Sequence, residues 1–139
     1  FLVDTTPFSD DEDLSAEEQK ALDGFKKVFI NAKIEEETGD EWDFNEGCLS
    51  IPDIREDVKR KPKIRISYLD ENFIALSETF DGLLASVILH EYDHIEGILF
   101  TDKLSSLKKR LLKSRLDKIS KGKISIEYRM RFPSIKKAR

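Results

Sequence analysis

The sequence is poor in the residues that build special frameworks. Its 139 residues hold one cysteine, Cys48, so no internal disulfide forms and a disulfide-stapled scaffold is excluded. No run of about 18 apolar residues occurs, which excludes a membrane-spanning helix and predicts a protein with no membrane association. The first apolar stretch, Phe1-Leu2-Val3, is cut short by Asp4, so no secretory signal pattern is present. Six glycines and four prolines are scattered, without a repeat, a low-complexity tract or a dividing linker. A chain of 16.1 kDa without such a division is expected to be one domain with one core. The only methionine is Met130, and the chain is expected to be a processed or partial piece of something longer.

The net charge of −4 conceals a gradient. Residues 1–57 carry 18 acidic and 5 basic side chains, whereas residues 103–139 carry 2 and 14. A basic end of this size suits an anionic partner such as nucleic acid or a ribonucleoprotein surface. A solvated helix face that serves only solubility is the alternative.

Periodicity predicts a mixed architecture. Phe1 to Val3 reads as the end of a strand, followed by an acidic loop. Ser15 and Glu18 form a capping-box pattern that opens a short helix to Leu22, with Gly24 beyond it. Val28, Ile30, Ala32 and Ile34 alternate as one strand, and Thr38-Gly39-Asp40 is turn chemistry. Pro52 is expected to break any ladder after Cys48. Ile64, Ile66 and Tyr68 alternate, and Asp70-Glu71-Asn72 predicts a hairpin to an apolar strand at Phe73 to Leu76. Leu83 to Ile95 is apolar on most sides, so it is predicted to be a helix in the middle of the domain, with Asp81 as N-cap and Gly97 as stop. Leu104, Leu107, Leu111, Leu112, Leu116 and Ile119 predict a surface helix over 103–120. Gly122 ends it, and Ile124, Ile126 and Tyr128 alternate as a last strand.

The only two histidines, His90 and His94, stand four apart on the most buried helix, with Glu91 between them. Positions i and i+4 share a helix face, with side chains about 5–6 Å apart, so both imidazoles can bind one metal ion. Glu91 lies roughly 100° round the wheel, near the ion without having to ligate it, where a general acid/base belongs. Two ordinary helix histidines are the alternative, but two buried polar rings would each need partners. A catalytic metal usually has three protein ligands and an open position. Candidates for the third are Glu96, Asp102, Asp117 and Glu127 downstream, or Cys48 upstream, which follows Gly47 in a stretch where the backbone can approach closely.

Glu46-Gly47-Cys48-Leu49-Ser50 and His90-Glu91-Tyr92-Asp93-His94 resemble two of the three signature motifs of peptide deformylase, EGCLS and HExDH. The match extends to Gly97, to Leu99-Phe100-Thr101-Asp102, to Ile51-Pro52, and to the helix entry Asp81 to Ala85. The 41 residues between Cys48 and His90 suit the family, and the resemblance covers about Phe1 to Phe132. It implies an α+β fold, with antiparallel strands packed around a central metal-binding helix, then a basic C-terminal helix and a last strand.

The resemblance also implies an activity. It is that of a cytoplasmic metal-dependent hydrolase that removes the formyl group from N-formylmethionyl peptides during protein biosynthesis and releases formate. Cys48, His90 and His94 would hold one divalent metal, natively Fe2+, with Zn2+, Ni2+ or Co2+ accepted, and water would take the fourth position. Glu91 would be the acid/base, and the Leu49 backbone amide would donate to the oxyanion. Glu46 and Arg60 would pair to support the motif, Asp93 would orient a ligand or a neighbouring loop, and Arg55 would hold the peptide. Gly47 would let the substrate approach, and Leu83 and Val87 would line the methionine pocket. Monomer is the family default. A basic C-terminal helix docks some members to the ribosome, a role open here to Lys108, Lys109, Arg110, Lys113, Arg115 and Lys118.

One departure is large. The family's first motif, GxGxAAxQ, has no counterpart, because the only glutamine is Gln19 and no glycine precedes Gly24. Residues 1–139 are therefore expected to be a single deformylase domain lacking its N-terminal segment, able to bind metal but slow to deformylate. Two other readings stay open: an HExxH metallopeptidase whose third ligand is a downstream carboxylate, and an inactive deformylase-like module that keeps its metal site for structure.

Overall fold

The computed structural model describes residues 1–132. Seven strands and three α-helices follow one another along these residues: β1 (Leu2–Asp4), α1 (Ala16–Leu22), β2 (Lys26–Val28), β3 (Ile30–Thr38), β4 (Trp42–Cys48), β5 (Ile51–Arg60), β6 (Lys63–Leu69), β7 (Ala75–Asp81), α2 (Gly82–Ile95) and α3 (Ser106–Ser120). Short 3-10 turns cover Thr6–Phe8 and Phe100–Lys103. This is the expected mixture of helices and antiparallel strands.

The chain falls into two compact units, one of residues 1–44 and 59–99, the other of residues 45–58 with the chain from Phe100 on. In the first unit β1 pairs with β2, and β3, β6 and β7 form an antiparallel sheet in the order β3-β6-β7. Their inward residues Ile64, Ile66 and Tyr68 join Val3, Phe29 and the α2 residues Ala85, Ile88 and Leu89 in one core. In the second unit Ile51, Ile54 and Val58 pack with Phe100, Leu104, Leu112 and Ile119. Length alone pointed to one core, whereas the buried apolar side chains gather in two.

The helix signals predicted α1 and α2 well. Ser15 accepts from the Glu18 amide, and Glu18 accepts from the Ser15 amide at 2.9 Å, so both orphan amides of the capping box are satisfied. Helix α2 starts directly after Asp81, but the Asp81 side chain makes no capping bond. Helix α3 begins three residues later than predicted, because the Ser105 hydroxyl accepts from the Lys108 amide at 3.3 Å and sets the N-terminus there.

Strand expectations needed four corrections. The strand through Val28 is two strands, split at Phe29, whose ring is buried while Asn31 takes a positive φ of 50°. Pro52 does not end a ladder: it is buried near the start of β5, a place where a missing N–H is tolerated. The next residue, Asp53, sits at φ 59°. After β6, the Asp70 carboxylate accepts from the amides of Asn72 at 2.8 Å and Ile74 at 2.9 Å. That longer turn puts Phe73 at φ 60° and leaves Phe73 and Ile74 exposed, so β7 begins at Ala75 and runs on to Asp81. Residues 124–128 form no strand; Ile124 packs on the second core instead. Alternation supplies the face of a strand but not the neighbour whose ladder would hold it. The predicted basic segment includes residues 133–139, which lie outside the described residues.

Candidate metal centre

Helix α2 carries His90 and His94 on one face. Both rings are half-buried, with centroids 4.9 Å apart and planes nearly perpendicular at 89°. Glu91 is half-buried beside them. Cys48, the last residue of β4, is half-buried and packs on the second core. One donor atom from each of Cys48, His90 and His94 lies within 4.8 Å of the other two. Thiolate and imidazole are donor types that bind a single divalent ion such as zinc. Among the described residues no downstream carboxylate joins the two histidines in such a group. Asp117 is instead 2.7 Å from Lys121, one turn along α3.

The strand leading to Cys48 is shaped by its neighbours. Arg55 lies along β4, with Nε donating to Asn45 Oδ1 and Nη2 to the Asn45 carbonyl, both at 2.9 Å. Asn45 Nδ2 in turn donates to Asp57 Oδ1 at 2.8 Å. A Cβ on Gly47 would fall 2.7 Å from Arg55 Nη1 and 3.1 Å from its Cγ, so a side chain there would displace this guanidinium from its place. Arg55, predicted to hold the peptide, is exposed and already anchored on the strand.

Arg60 and Asp93 are brought together. Nη1 of Arg60 donates to Asp93 Oδ2 at 2.6 Å, with the two side chains only 3% and 9% exposed. The Asp93 carbonyl also accepts from the Ile98 amide at 2.8 Å, just past the end of α2. Asp93 thus serves the helix that bears both histidines. Glu46, predicted as the partner of Arg60, is buried on β4 at 2% exposure. Leu83 borders a shallow cleft with Ser15, Glu18, Ala21 and Leu84, whereas Val87 packs on the first core.

Sequence reasoning missed three contacts to the turn after the cysteine and to β5. The Tyr128 hydroxyl donates to the Leu49 carbonyl at 2.8 Å. Arg115 Nη2 donates to the Asp53 carbonyl, and Lys108 Nζ lies 2.7 Å from Glu56 Oε2. No local pattern announces a tyrosine 79 residues from its acceptor. The two cations, Lys108 and Arg115, were expected to face a partner, and the structure engages both within the protein.

The family model for polypeptide deformylase matches residues 5–110. The chain is 66% identical over all 139 residues to peptide deformylases of Flavobacterium johnsoniae and of Christiangramia forsetii, spanning 71% of the length of each. Among solved structures, Arabidopsis thaliana peptide deformylase 1B in complex with an inhibitor matches 73% of this chain with a TM-score of 0.69 and 32% identity. A peptide deformylase from Legionella pneumophila matches 72% with a TM-score of 0.62 and 36% identity. The chain spans 56% and 59% of those two structures.

Proposed function

We propose a function on the premise that the comparisons establish: this chain belongs to the peptide deformylase family. It is a hydrolase that removes the formyl group from the amino terminus of nascent N-formylmethionyl peptides, releasing formate and a free amine. The observation that carries this reading is the donor set of Cys48, His90 and His94, with Glu91 on the same helix as the histidines. A thiolate with two imidazoles suits Fe2+, Zn2+, Ni2+ and Co2+ alike, and we assign ferrous iron as the ion in the cell. When bound, the ion supplies Lewis acidity and makes a water acidic enough to ionise near neutral pH.

The chain's own residues do the rest. Glu91 takes a proton from the attacking water and returns one to the departing amine nitrogen. The Leu49 amide donates to the formyl oxygen as that oxygen gains charge. Arg55 steers the peptide backbone past Gly47, and Leu83 and Val87 bound the space for the methionine side chain. Arg60 and Asp93, with Glu46 on β4, keep the ligand-bearing elements in place.

Replacing Cys48 by serine and measuring metal content tests the reading. Stoichiometric metal should be lost together with formate release from a formyl-methionyl peptide; metal retained in full would favour an HExxH peptidase. A second expectation concerns rate. The Gln19 side-chain amide donates to the Asp11 carbonyl at 2.8 Å in the first unit, so it supplies no oxyanion contact. One missing oxyanion donor typically costs about 100–1,000-fold. The 139-residue chain should bind metal yet release formate slowly, and a full family rate from this chain would overturn that.

The protein works as a monomer in the reducing cytoplasm, which keeps the Cys48 thiol available. No helix among the described residues is long and apolar enough to cross a membrane. Docking to the ribosome falls to Lys109, Arg110, Lys113 and Lys118, all exposed on α3. Binding to ribosomal RNA should weaken steeply between 50 and 200 mM salt, and a salt-insensitive association would remove this role.

A further inference from the structure

Leu49 and Ser50 form the turn between β4 and β5, immediately after the cysteine ligand. Packing does little to hold this turn, since Leu49 is 76% exposed. A side-chain contact reaches it from far along the chain, where the Tyr128 hydroxyl donates to the Leu49 carbonyl at 2.8 Å. The segment that brings Tyr128 there is itself anchored. Ile124 packs on the second core with Leu112 and Ile119 of α3. Helix α3 grips the same hairpin twice more, through Lys108 to Glu56 at 2.7 Å and through Arg115 to the carbonyl of Asp53. The second grip falls on the residue at φ 59°, a conformation a non-glycine residue keeps only when its surroundings enforce it.

We infer that Tyr128 is a positioning residue for the Cys48–Leu49 turn, and that its hydroxyl aims the Leu49 amide at the reacting oxygen. Only the φ and ψ of Leu49 separate its N–H from the carbonyl that Tyr128 holds, and fixing the carbonyl narrows both. An oxyanion donor must be aimed before the charge develops, so a turn that wanders loses rate without losing substrate. Tyr128 touches neither the substrate nor a metal ligand in this scheme. The inference rests on the assignment of the Leu49 amide as a donor.

The test is Tyr128→Phe, which removes one hydroxyl and keeps the ring. In the Zn2+-loaded protein, the backbone order parameters of Leu49 and Ser50 should fall from the rigid range near 0.85 towards 0.6. The kcat for a formyl-methionyl peptide should drop about tenfold while KM stays within twofold and the thermal midpoint barely moves. Unchanged order parameters would overturn the inference while leaving the Leu49 assignment standing. A loosened turn with unchanged kcat would overturn it as well, and the Leu49 assignment would then be the part that failed. A rise in KM matching the loss in kcat/KM would mean that Tyr128 acts on substrate binding instead.

Discussion

Arg60 and Asp93 place a full charge pair where almost no water reaches, with donor and acceptor 2.6 Å apart. Removing one partner of a buried pair strands the other, which typically costs about 3–5 kcal/mol. Asp93→Ala should therefore lower the urea-unfolding free energy by about 3 kcal/mol, while refolded protein still takes up one metal ion. Gly47→Ala makes the complementary point about space. The new methyl would meet Arg55 at 2.7 Å, push the guanidinium off Asn45 and weaken formyl-peptide binding. A raised KM with kcat little changed is the expected result, and kinetics on a formyl-methionyl peptide would read it. The grouping of Cys48 with His90 and His94 was legible in the sequence from residue type and, for the two histidines, from their helical spacing. The Arg60–Asp93 pair and Tyr128 were not, because tertiary contacts between distant residues leave no period to read.

Among the elements, the helices announced themselves through caps and stops, while the strands did so only where a neighbour completed them. Residues 124–128 alternate as well as β6 does, yet β6 has β3 on one side and β7 on the other, and the later segment has no ladder partner among the described residues. Pro52 misled because a proline near the start of a strand forgoes a bond that strand does not need there. The β6–β7 sheet also holds a polar cluster that pattern reading passed over. Lys27 of β2 lies 2.6 Å from Glu78 of β7, and the Tyr68 hydroxyl of β6 donates to the same carboxylate. Burial works to raise the Glu78 carboxyl, but hydrogen bonds from Lys27 and Tyr68 outweigh it and hold the group below its ordinary 4.5. A carboxylate lowered in the folded state stabilises above the ordinary value, and that contribution is lost as pH falls through the folded value. At 37% exposure the effect is screened, so Glu78→Gln should cost about 0.5–1 kcal/mol at pH 7. The difference from wild type should shrink below pH 4.5 in thermal melts at stepped pH.

For the whole molecule, composition conveyed the charge gradient and the absence of a spanning helix among the described residues, but not the division of the core. That division depends on which segments meet: the 45–58 stretch packs with α3, far away in the chain, and length carries no trace of this pairing. A ligand that binds only the folded protein stabilises by about 2.7 kcal/mol at a hundred times its Kd. Chelating the metal should accordingly lower the thermal midpoint by several degrees, and Cys48→Ala should make the melt insensitive to chelator. Equal sensitivity in both proteins would mean that the ion sits elsewhere.

The bond from Tyr128 to the Leu49 carbonyl also sets a timetable. A chain emerges during translation at about 5–20 residues per second, and 79 positions separate these two residues. For roughly 4–16 seconds after Leu49 is made, the tip of its hairpin lacks the tyrosine that fixes it. The turn after Cys48 is therefore among the last parts of the described protein to be tethered, whatever the speed at which the two cores collapse. A metal ion captured by Cys48 in that interval would be held by a loop still waiting for its tether.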